Sequence, residues 1–491
     1  MKMSSGKNKF RFIVGSAYRF VMKRSPALRS VIRPMRTRTE KAVYDLFYSH
    51  DTDRKLIVFM SFLGRGYSDT PKAVYEYMKQ GEAYRDFRFV WAFRDPDAHK
   101  FMEEDPRTSV VAWRSAAFLK VMSRAGYWIS NNRVPVHIWP RKDQTYVQCW
   151  HGTPLKRLGH DLEGTTNAIN SLKDLLYKYD VDALKLRWFL SPSAYATDRF
   201  TSAFDLGGKG KEDAILEIGY PRNDSLVCST AEDRARKLEG LGVPADKKVV
   251  LYAPTWRDDQ YSAATGYTYD LGLDFEGLRR ALGEGYVILF RVHYFISNSF
   301  DFSSFGGYIV DASDIGDIND LYIASDILIT DYSSVFFDYA DTGKPMVFYM
   351  YDLEKYRDEA RGFYIGLDEL PGEIVTEEAE LARAMRDALD AGSYEEKYGE
   401  KYAAFKAKYN NLDDGHATER LVKKVIGDGN VDCPPNADPS QSADRSPNAD
   451  RLQSADRSPN ADRLQGADCP PNADRLQGAD CPLNAEDEVR E

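Results

Sequence analysis

The stretch that most constrains the fold of this chain is residues 317–349, DINDLYIASDILITDYSSVFFDYADTGKPMVFY. Ile327–Thr330 is a short apolar run rich in β-branched residues, which is typical of a buried parallel strand. A polar turn follows, and Ser333 or Ser334 within it can cap a helix that precedes a second apolar run, Met346–Tyr349. Strand, turn, helix and strand in this order predict a βαβ unit of a parallel sheet.

The turn that carries Ser333 and Ser334 is expected at the carboxyl edge of this sheet, where open α/β sheets bind their ligands. Serine hydroxyls, unpaired backbone N–H groups and the positive end of the helix dipole all favour a phosphate at such a place. An ordinary capped helix without a ligand is the simpler explanation when this stretch is taken alone. The phosphate interpretation therefore depends on the rest of the chain.

The length and charge of the chain limit its class. A chain of 491 residues exceeds one hydrophobic core, so we expect two domains with appendages. Residues 1–45 carry twelve Lys or Arg against two acidic residues (+10), and the net charge of −10 then leaves −20 for the remainder. An acidic body argues against nucleic acid as a partner. Five cysteines without a CxxC pair indicate neither a disulfide framework nor a zinc site, which favours a reducing compartment.

Both ends of the chain differ from its middle. Residues 8–24 predict a basic amphipathic helix suited to an anionic membrane surface, with a basic arm packed on the body as the alternative. No long apolar run or signal-peptide pattern accompanies it, so we expect a peripheral protein on the cytoplasmic face of the membrane. Residues 427–491 contain a drifting 12-residue repeat with few large apolar side chains, which predicts a disordered tail.

Between these ends, strand-like apolar runs alternate with helical patterns. The predicted strands are 56–62, 87–93, 110–113, 127–130, 145–149, 188–190 and 215–218, then 248–253, 287–290, 308–310, 327–330 and 346–349. This alternation predicts an α/β protein with two doubly wound parallel sheets. We predict a basic arm at 1–48, an N-terminal Rossmann-like domain at 49–225, a C-terminal one at 226–426 and the tail at 427–491.

Polar side chains stand where several predicted strands end. His151 follows strand 145–149 beside a glycine, Thr255 follows strand 248–253, and Arg291 and His293 follow strand 287–290. Because the carboxyl ends of parallel strands meet at one edge of their sheet, we expect Thr255, Arg291, His293 and Ser334 to converge on one crevice of the second sheet. We expect this sheet to face the first one, which carries His151. An imidazole with an ordinary pKa near 6.5 can accept a proton from a hydroxyl, whereas an isolated histidine is more often structural.

Five longer motifs include these strand ends. They are WHGTPLKRLG (150–159), GYPRND (219–224), APTWRD (253–258), RVHY (291–294) and most of the opening stretch (317–345). In this order they resemble the motif set of the CDP-glycerol glycerophosphotransferases, the family of teichoic-acid primases and polymerases. GRGYSDTPKAVYEYM (64–78) also resembles the acceptor-side domain of that family, although Thr70 stands where the family usually has asparagine. The likeness covers roughly residues 50–415 and does not include the repeat tail.

The resemblance implies a GT-B architecture of two facing Rossmann-like domains, with the CDP-glycerol donor in the C-terminal domain and a lipid-linked glycerol-phosphate acceptor entering from the N-terminal one. By this analogy His151 is the general base that deprotonates the acceptor hydroxyl, which attacks the glycerol-bearing phosphorus so that CMP leaves. His293 is implied as the second catalytic histidine, and it forms the diphosphate site with Arg291, Ser333 and Ser334. The other implied donor-contact positions are Trp150, Gly152, Thr153, Pro154, Arg222, Pro254, Thr255 and Asp338.

No cofactor is implied, because a helix N-terminus with histidine and arginine can stabilise the transferring phosphoryl group without a metal. The D-x-D pairs at 51–53 and 95–97 are interpreted as solvated turn carboxylates, and metal use is left open. Two other functions are consistent with the pattern: a GT-B glycosyltransferase that uses a nucleotide sugar, and a non-catalytic scaffold at the membrane surface. The polyol, the acceptor and the number of units added are not defined by the sequence.

Overall fold

The computed structural model describes residues 26–47, 51–162, 172–255, 261–262, 266–267, 273–292, 302–354 and 362–428. The predicted helix at 8–24, the tail from 429 onward and His293 lie outside these residues. The chain begins its described part with helix α1 (Pro26–Leu46). Two parallel sheets with helices between their strands follow, as the alternating pattern predicts.

The first sheet has seven parallel strands in the order β3-β2-β1-β4-β5-β6-β7. Its strands are β1 (Asp53–Met60), β2 (Arg88–Phe93), β3 (Thr108–Ala112), β4 (Ala125–Ser130), β5 (Thr145–Gln148), β6 (Trp188–Ser191) and β7 (Ile215–Glu217). Its helices are α2 (Asp69–Gln80), α3 (Ala116–Arg124), α4 (Leu172–Lys185) and α5 (Ala194–Ala203). The reversal of strand order beside β1 creates the type of crevice where such sheets bind ligands.

The second sheet has six parallel strands in the order β12-β11-β8-β13-β14-β15. Helices α6 (Asp224–Val227) and α7 (Ala231–Gly240) lead into it. The strands are β8 (Lys248–Ala253), β11 (Tyr286–Phe290), β12 (Ile309–Asp311), β13 (Ile327–Thr330), β14 (Met346–Tyr349) and β15 (Glu373–Val375). A separate antiparallel pair consists of β9 (Tyr261–Ser262) and β10 (Gly266–Tyr267). The helices are α8 (Phe275–Leu282), α9 (Ile318–Ala324), α10 (Val335–Tyr339), α11 (Glu378–Leu389), α12 (Ala391–Tyr409) and α13 (Ala417–Val425).

The strands of both sheets are apolar because helices cover both of their faces. All four residues of β13 are buried, as are all four of β14 and of β5. Trp91 and Trp128 are among the largest fully buried side chains, on opposite sides of the first sheet. The predicted fold class, an α/β chain with two doubly wound parallel sheets, is confirmed.

The last helix of the second half returns to the first sheet. Leu421 and Val422 of α13 are buried in the same cluster as Ile57 and Phe59 of β1 and Val74 of α2. This helix therefore completes the apolar layer on one face of the first sheet, although more than 150 residues separate it from β7 along the chain.

Candidate active site

His151 lies where β5 ends, in a loop with an unusual backbone conformation. Trp150 has a positive φ of 51°, and its backbone N–H donates to Oε1 of Gln148 at 3.0 Å. The imidazole stacks on the Trp150 ring at 4.6 Å, and the edge of Phe62 lies 6.1 Å away. Nδ1 of His151 lies 2.9 Å from the carbonyl oxygen of Asn131, which can only accept. Nδ1 therefore carries the proton, and Nε2 is the basic nitrogen.

The surroundings of His151 keep its ring neutral. Burial lowers the pKa of His151 to about 4, the hydrogen bond to Asn131 opposes this shift, and the positive charges of Arg222 and Arg133 add to it. Each of these causes except the Asn131 bond disfavours the imidazolium form. The base form is therefore present throughout the neutral pH range, which is the form a general base needs.

We expect the acid limb of the pH profile to lie well below the ordinary histidine range. Because the pKa of His151 is lowered to about 4, kcat/KM of a reaction in which this ring acts as the base should stay nearly constant from about pH 8 to about pH 5 and fall only below that. Initial rates across this range test the expectation, with circular dichroism as the control for folding. A fall centred near pH 6.5 in folded protein would contradict the described environment of this ring.

Gly152, the residue after the histidine, lies directly against the serine turn of the second sheet. A Cβ atom placed on Gly152 would be 3.2 Å from Oγ of Ser334 and 3.9 Å from its Cβ. Ser334 occupies the N-cap position of α10, one of the two positions predicted, but its hydroxyl makes no cap hydrogen bond. The helix is also short, with only five residues before it tightens into a 3₁₀ turn. The serine instead lies beside the histidine loop.

This contact predicts a pair of coupled substitutions. Gly152→Ala should lower the free energy of unfolding by about 1–3 kcal/mol, because the new methyl group crowds Ser334. Adding Ser334→Ala removes the nearer atom and should restore most of the loss, which urea unfolding of both variants measures. Gly240→Ala is the matched control, since a Cβ there meets nothing within 4 Å. Strictly additive effects of the two substitutions would show that the loops do not touch.

Arg222 lies at the centre of a buried network of polar side chains between the two sheets. Its Nε and Nη2 donate to Oδ2 and Oδ1 of Asp338 at 3.1 and 2.9 Å, and Nη1 lies 3.7 Å from Oδ1 of Asp69. The guanidinium also covers the ring of Tyr220 at 3.9 Å. Burial alone lowers the pKa of Arg222, but the attraction of Asp338 and Asp69 outweighs it and raises the pKa well above its usual value. Arg222 is therefore a fixed positive charge.

Asp69 and Asn223 complete the buried network around Arg222. Asp69 is the first residue of α2 and has a positive φ of 64°, a conformation rarely found in ordinary residues. Burial raises the pKa of Asp69, whereas Arg222 opposes that shift. Nδ2 of Asn223 donates to carboxylate oxygens of Asp338, at 3.2 Å, and of Asp413, at 2.9 Å. Residues from both sheets and from the connection between them thus share one buried network.

Asp331 links the turn that carries Ser333 and Ser334 to the end of the neighbouring strand β8. Its Oδ1 accepts from the backbone N–H of Thr255 at 2.7 Å and from that of Tyr332 at 2.6 Å. Pro254, Thr255, Ser333 and Ser334 are half-buried, whereas Thr153 and Pro154 beside the histidine loop are buried. The structure therefore brings together the predicted positions at the ends of β5, β8 and β13.

The guanidinium group of Arg291, predicted to bind phosphate, is hydrogen-bonded to the protein backbone. Its Nη1 donates to the carbonyl oxygens of Ala312, Ser313 and Ile315 at 2.6–2.8 Å. These bonds hold the loop after β12, and Asp317 in the following helix cap forms a 2.7 Å ion pair with Lys72 of α2. In the described residues, Arg291 thus positions a loop that meets the first half of the molecule. Its role toward the donor stays a prediction, as does that of His293.

Several residues of the site are absent from the sequence prediction. Asn131 orients His151 through a backbone carbonyl and also accepts from Phe62 N–H with its side-chain oxygen at 2.8 Å. The polar run that follows β4 signals this position, because it is another strand end at the same edge. Asp69 acts through Arg222, which is distant in sequence and is not revealed by any local pattern. Gln148 acts locally, on the backbone N–H of Trp150 two residues later. Within the residues that the structure describes, no three His, Cys, Asp or Glu side chains are grouped to hold a metal.

The two parallel sheets, joined through the Arg222 network and with the histidine loop of one against the serine turn of the other, define a GT-B-like protein. This architecture, predicted from the motifs, is confirmed by solved structures. Residues 42–427 match the family described as CDP-Glycerol:Poly(glycerophosphate) glycerophosphotransferase, and the chain belongs to this family. The resemblance noted in the sequence is therefore confirmed.

Relatives of known structure or function support the assignment. A solved structure of the wall teichoic acid polymerase TagF is 36% identical, with a TM-score of 0.71 over 85% of this chain and 98% of that one. The teichoic acid poly(glycerol phosphate) polymerases of Staphylococcus epidermidis and Bacillus subtilis are 40% and 36% identical over 79% and 84% of this chain. The chain spans about half the length of these two proteins, 52% and 54%. It covers 97% of a teichoic acid glycerol-phosphate transferase of Staphylococcus aureus, which is 36% identical.

Proposed function

We propose that this protein transfers glycerol phosphate from CDP-glycerol to a hydroxyl group of a membrane-linked acceptor in teichoic-acid synthesis, with release of CMP. The observation that carries the proposal is the position of the His151 loop against the Ser334 turn, because it places a neutral base of one sheet beside a hydroxyl-rich turn of the other. Family membership supports it, as does a TagF histidine variant soaked with CDPG, which has a TM-score of 0.71.

The proposed reaction is a displacement at phosphorus. Nε2 of His151 accepts the proton of the acceptor hydroxyl, and the hydroxyl oxygen forms a bond to the glycerol-bearing phosphorus of the donor. The bond from that phosphorus to the bridging oxygen breaks, and CMP leaves with the electron pair. The fixed charge of Arg222 and the hydroxyls of Ser333 and Ser334 would stabilise the negative charge on the diphosphate. We propose that His293 and Arg291 contribute at the same place.

In this proposal the two halves divide the substrates. Residues 49–225 form the acceptor-side domain and residues 226–426 the CDP-donor domain, with the histidine loop reaching from the first to the second. Helix α13 belongs to the second domain along the chain but packs on the first sheet. Residues 427–491 are proposed to lie outside the catalytic body. The predicted boundary of the basic arm at residue 48 is too late, because Tyr44 is buried in the core of the first sheet.

A nucleotide-sugar donor is less consistent with the described contacts. A hexosyl transferase needs a carboxylate near the sugar hydroxyls, and Asp338 is the position that the motifs offer for it. Both oxygens of Asp338 accept from Arg222, and Oδ1 also accepts from Asn223. This carboxylate is therefore held by the protein.

Parallel donor assays test the proposed function. The purified protein is incubated with a lipid-linked glycerol-phosphate primer and with CDP-glycerol, CDP-ribitol or a UDP-sugar, and release of CMP or UDP is followed. We expect CMP from CDP-glycerol, and gel analysis of the product then distinguishes one added unit from a chain. Release of UDP without CMP would overturn the proposal in favour of glycosyl transfer, and no release from any donor would support a scaffold.

We further propose that the protein binds the cytoplasmic face of the membrane peripherally. Residues 1–45 carry a charge of +10, which attracts anionic lipids. In the described residues, Leu46 is 83% exposed and Val43 and Trp139 are each 37% exposed, near the start of the catalytic body. None of the helices that the structure describes is long and apolar enough to cross a bilayer. Co-sedimentation with anionic but not with neutral vesicles is expected, and equal binding to both would contradict the electrostatic part.

A further inference from the structure

Gln148, the last residue of β5, is a buried amide whose two ends are bonded to different parts of the first half. Its Oε1 accepts from the backbone N–H of Trp150 at 3.0 Å. Its Nε2 donates to Oδ2 of Asp182 at 3.0 Å and to the hydroxyl of Tyr146 at 2.8 Å. Gln148 and Tyr146 are fully buried, and Asp182 is 1% exposed. The amide therefore bridges α4 and the loop that carries the candidate base.

Asp182 determines which end of the amide faces Trp150. An ionised carboxylate can only accept, so it bonds to Nε2 and leaves Oε1 for the backbone N–H. The Tyr146 hydroxyl lies 3.2 Å from Oδ1 of Asp182 and donates there. Burial raises the pKa of Asp182, but the positive charge of Lys185, one turn later on α4, opposes this shift. We call Tyr146, Gln148, Asp182 and Lys185 the Gln148 network.

The Trp150 backbone is the point at which this network reaches the base. Trp150 lies beyond the last residue of β5 and has a φ of 51°. An ordinary residue keeps a positive φ only where its surroundings hold it. The His151 ring stacks on the Trp150 ring at 4.6 Å. Gln148 therefore holds the residue that supports one face of the imidazole.

The same network reaches the imidazole by a second route. Nζ of Lys185 donates to the carbonyl oxygens of Pro135 at 2.8 Å and of Val134 at 3.4 Å. These carbonyls belong to the loop after β4, in which the carbonyl of Asn131 lies 2.9 Å from Nδ1 of His151. The network thus supports both the stacked face and the Nδ1 edge of the ring.

We propose that Gln148 is a positioning residue for the transfer reaction, an inference that rests on the proposed function. Through Trp150 it holds the His151 ring in the orientation that presents Nε2 to the acceptor hydroxyl. Asp182 in turn holds Gln148 in the amide orientation that this task requires. Because a displaced base costs rate rather than donor binding, removal of Gln148 acts on kcat.

The main test is Gln148→Met, which keeps the length of the side chain and removes its three hydrogen bonds. We expect kcat for CMP release to fall about tenfold to hundredfold, whereas KM for CDP-glycerol should change less than about twofold. Burial is the main cause that lowers the pKa of His151 to about 4. A loosened ring is better hydrated, so the acid limb of the pH profile should move up toward about pH 6.5. A merely structural loss would leave this limb in place.

Gln144 provides the matched control, because it is a buried amide at the opposite end of the same strand. It immediately precedes β5, is 5% exposed, and its Nε2 donates to the carbonyls of Met122 at 2.9 Å and Ala125 at 2.7 Å. Gln144→Met should unfold at a lower urea concentration than the wild type. Its kcat and its acid limb should remain those of the wild type.

An exchange of the two partners tests the hydrogen-bond pattern itself. Gln148→Glu/Asp182→Asn places the carboxylate on β5 and the amide on α4. The new amide can donate to the new carboxylate, whose other oxygen can accept from the Trp150 N–H. We expect kcat of this double variant to return to within about threefold of the wild type, because the bonds to Trp150 and across the pair are both restored.

A measurement that needs no turnover follows the His151 ring directly. In protein with ¹⁵N-labelled histidine, the His151 signal is the one that His151→Ala lacks, and its titration gives the pKa of the ring. This pKa should be higher in Gln148→Met than in the wild type. If Gln148→Met does not fold, Gln148→Asn replaces it with the same expectations, because the shorter amide cannot reach both Asp182 and Trp150.

Three results would overturn the proposal. These are a wild-type kcat or an unshifted His151 titration in the folded Gln148 variant, a loss of kcat in Gln144→Met as large as in Gln148→Met, and an exchanged pair no faster than Gln148→Met. A wild-type protein that releases no CMP from CDP-glycerol would overturn the proposed function instead. The titration would then still show whether Gln148 holds the ring.

Discussion

His151→Ala should lower kcat for CMP release from CDP-glycerol by about 10²–10⁴-fold, the range that removal of a general base typically costs. The structure gives the reason, since Nδ1 is committed to the Asn131 carbonyl and only Nε2 can accept the proton of the acceptor. Single-turnover measurements with saturating donor and acceptor report this step. The exposed His160, which pairs with Asp180 at 2.7 Å, offers a matched control in His160→Ala.

The affinity of His151→Ala for the donor shows whether the substitution removes only the base or disrupts the whole site. Calorimetric titration of His151→Ala with CDP-glycerol should give a Kd within about twofold of the wild type, because the proposed donor contacts lie mainly in the second sheet. A variant that keeps more than about a tenth of the wild-type rate would remove His151 from the role of base. A variant that loses both donor binding and folding would show that the loop is structural.

Arg222→Ala should have the largest effect on stability, a loss of about 3–5 kcal/mol, because it leaves Asp338 as a buried charge without its main partner. Asp69 loses its opposing charge at the same time, and its pKa, already raised by burial, would rise further. Urea unfolding followed by circular dichroism measures the loss. Activity should disappear with it, since the network joins both sheets beside the histidine loop.

The control for this prediction is an exposed ion pair. Arg383 of α11 pairs with Glu373 of β15, and the two side chains are 45% and 23% exposed. Arg383→Ala should therefore cost about 1 kcal/mol or less. Equal losses in Arg222→Ala and Arg383→Ala would contradict the central position of Arg222.

The regular part of the fold is predictable because its signal is local. The predicted bounds of β8, β13 and β14 agree with the structure, since a short apolar run between polar turns is the mark of a strand buried on both faces. Strand β15 is missing from the prediction. It is a three-residue edge strand that starts with Glu373, and so short a segment has no recognisable period.

The candidate site is only partly predictable, because its chemistry depends on contacts between distant segments. The strand-end rule places His151 at the edge of the first sheet and Thr255 and Ser334 at the edge of the second, and the structure brings the histidine loop to the serine turn. The rule does not show that Arg291 is held by the carbonyls after β12, or that Asn131 orients the histidine. Neighbouring residues in sequence do not specify which of several polar groups a side chain meets after folding.

The return of α13 to the first sheet has a consequence for dissecting the protein. A fragment that stops at residue 225 would lose Leu421 and Val422 from the apolar cluster that includes Val74 of α2, and would expose part of that cluster to water. The two halves therefore cannot be expressed as independent modules by cutting at the linker. An acceptor half that keeps this apolar layer intact must therefore also contain α13, for example as residues 417–425 attached to it through a designed linker.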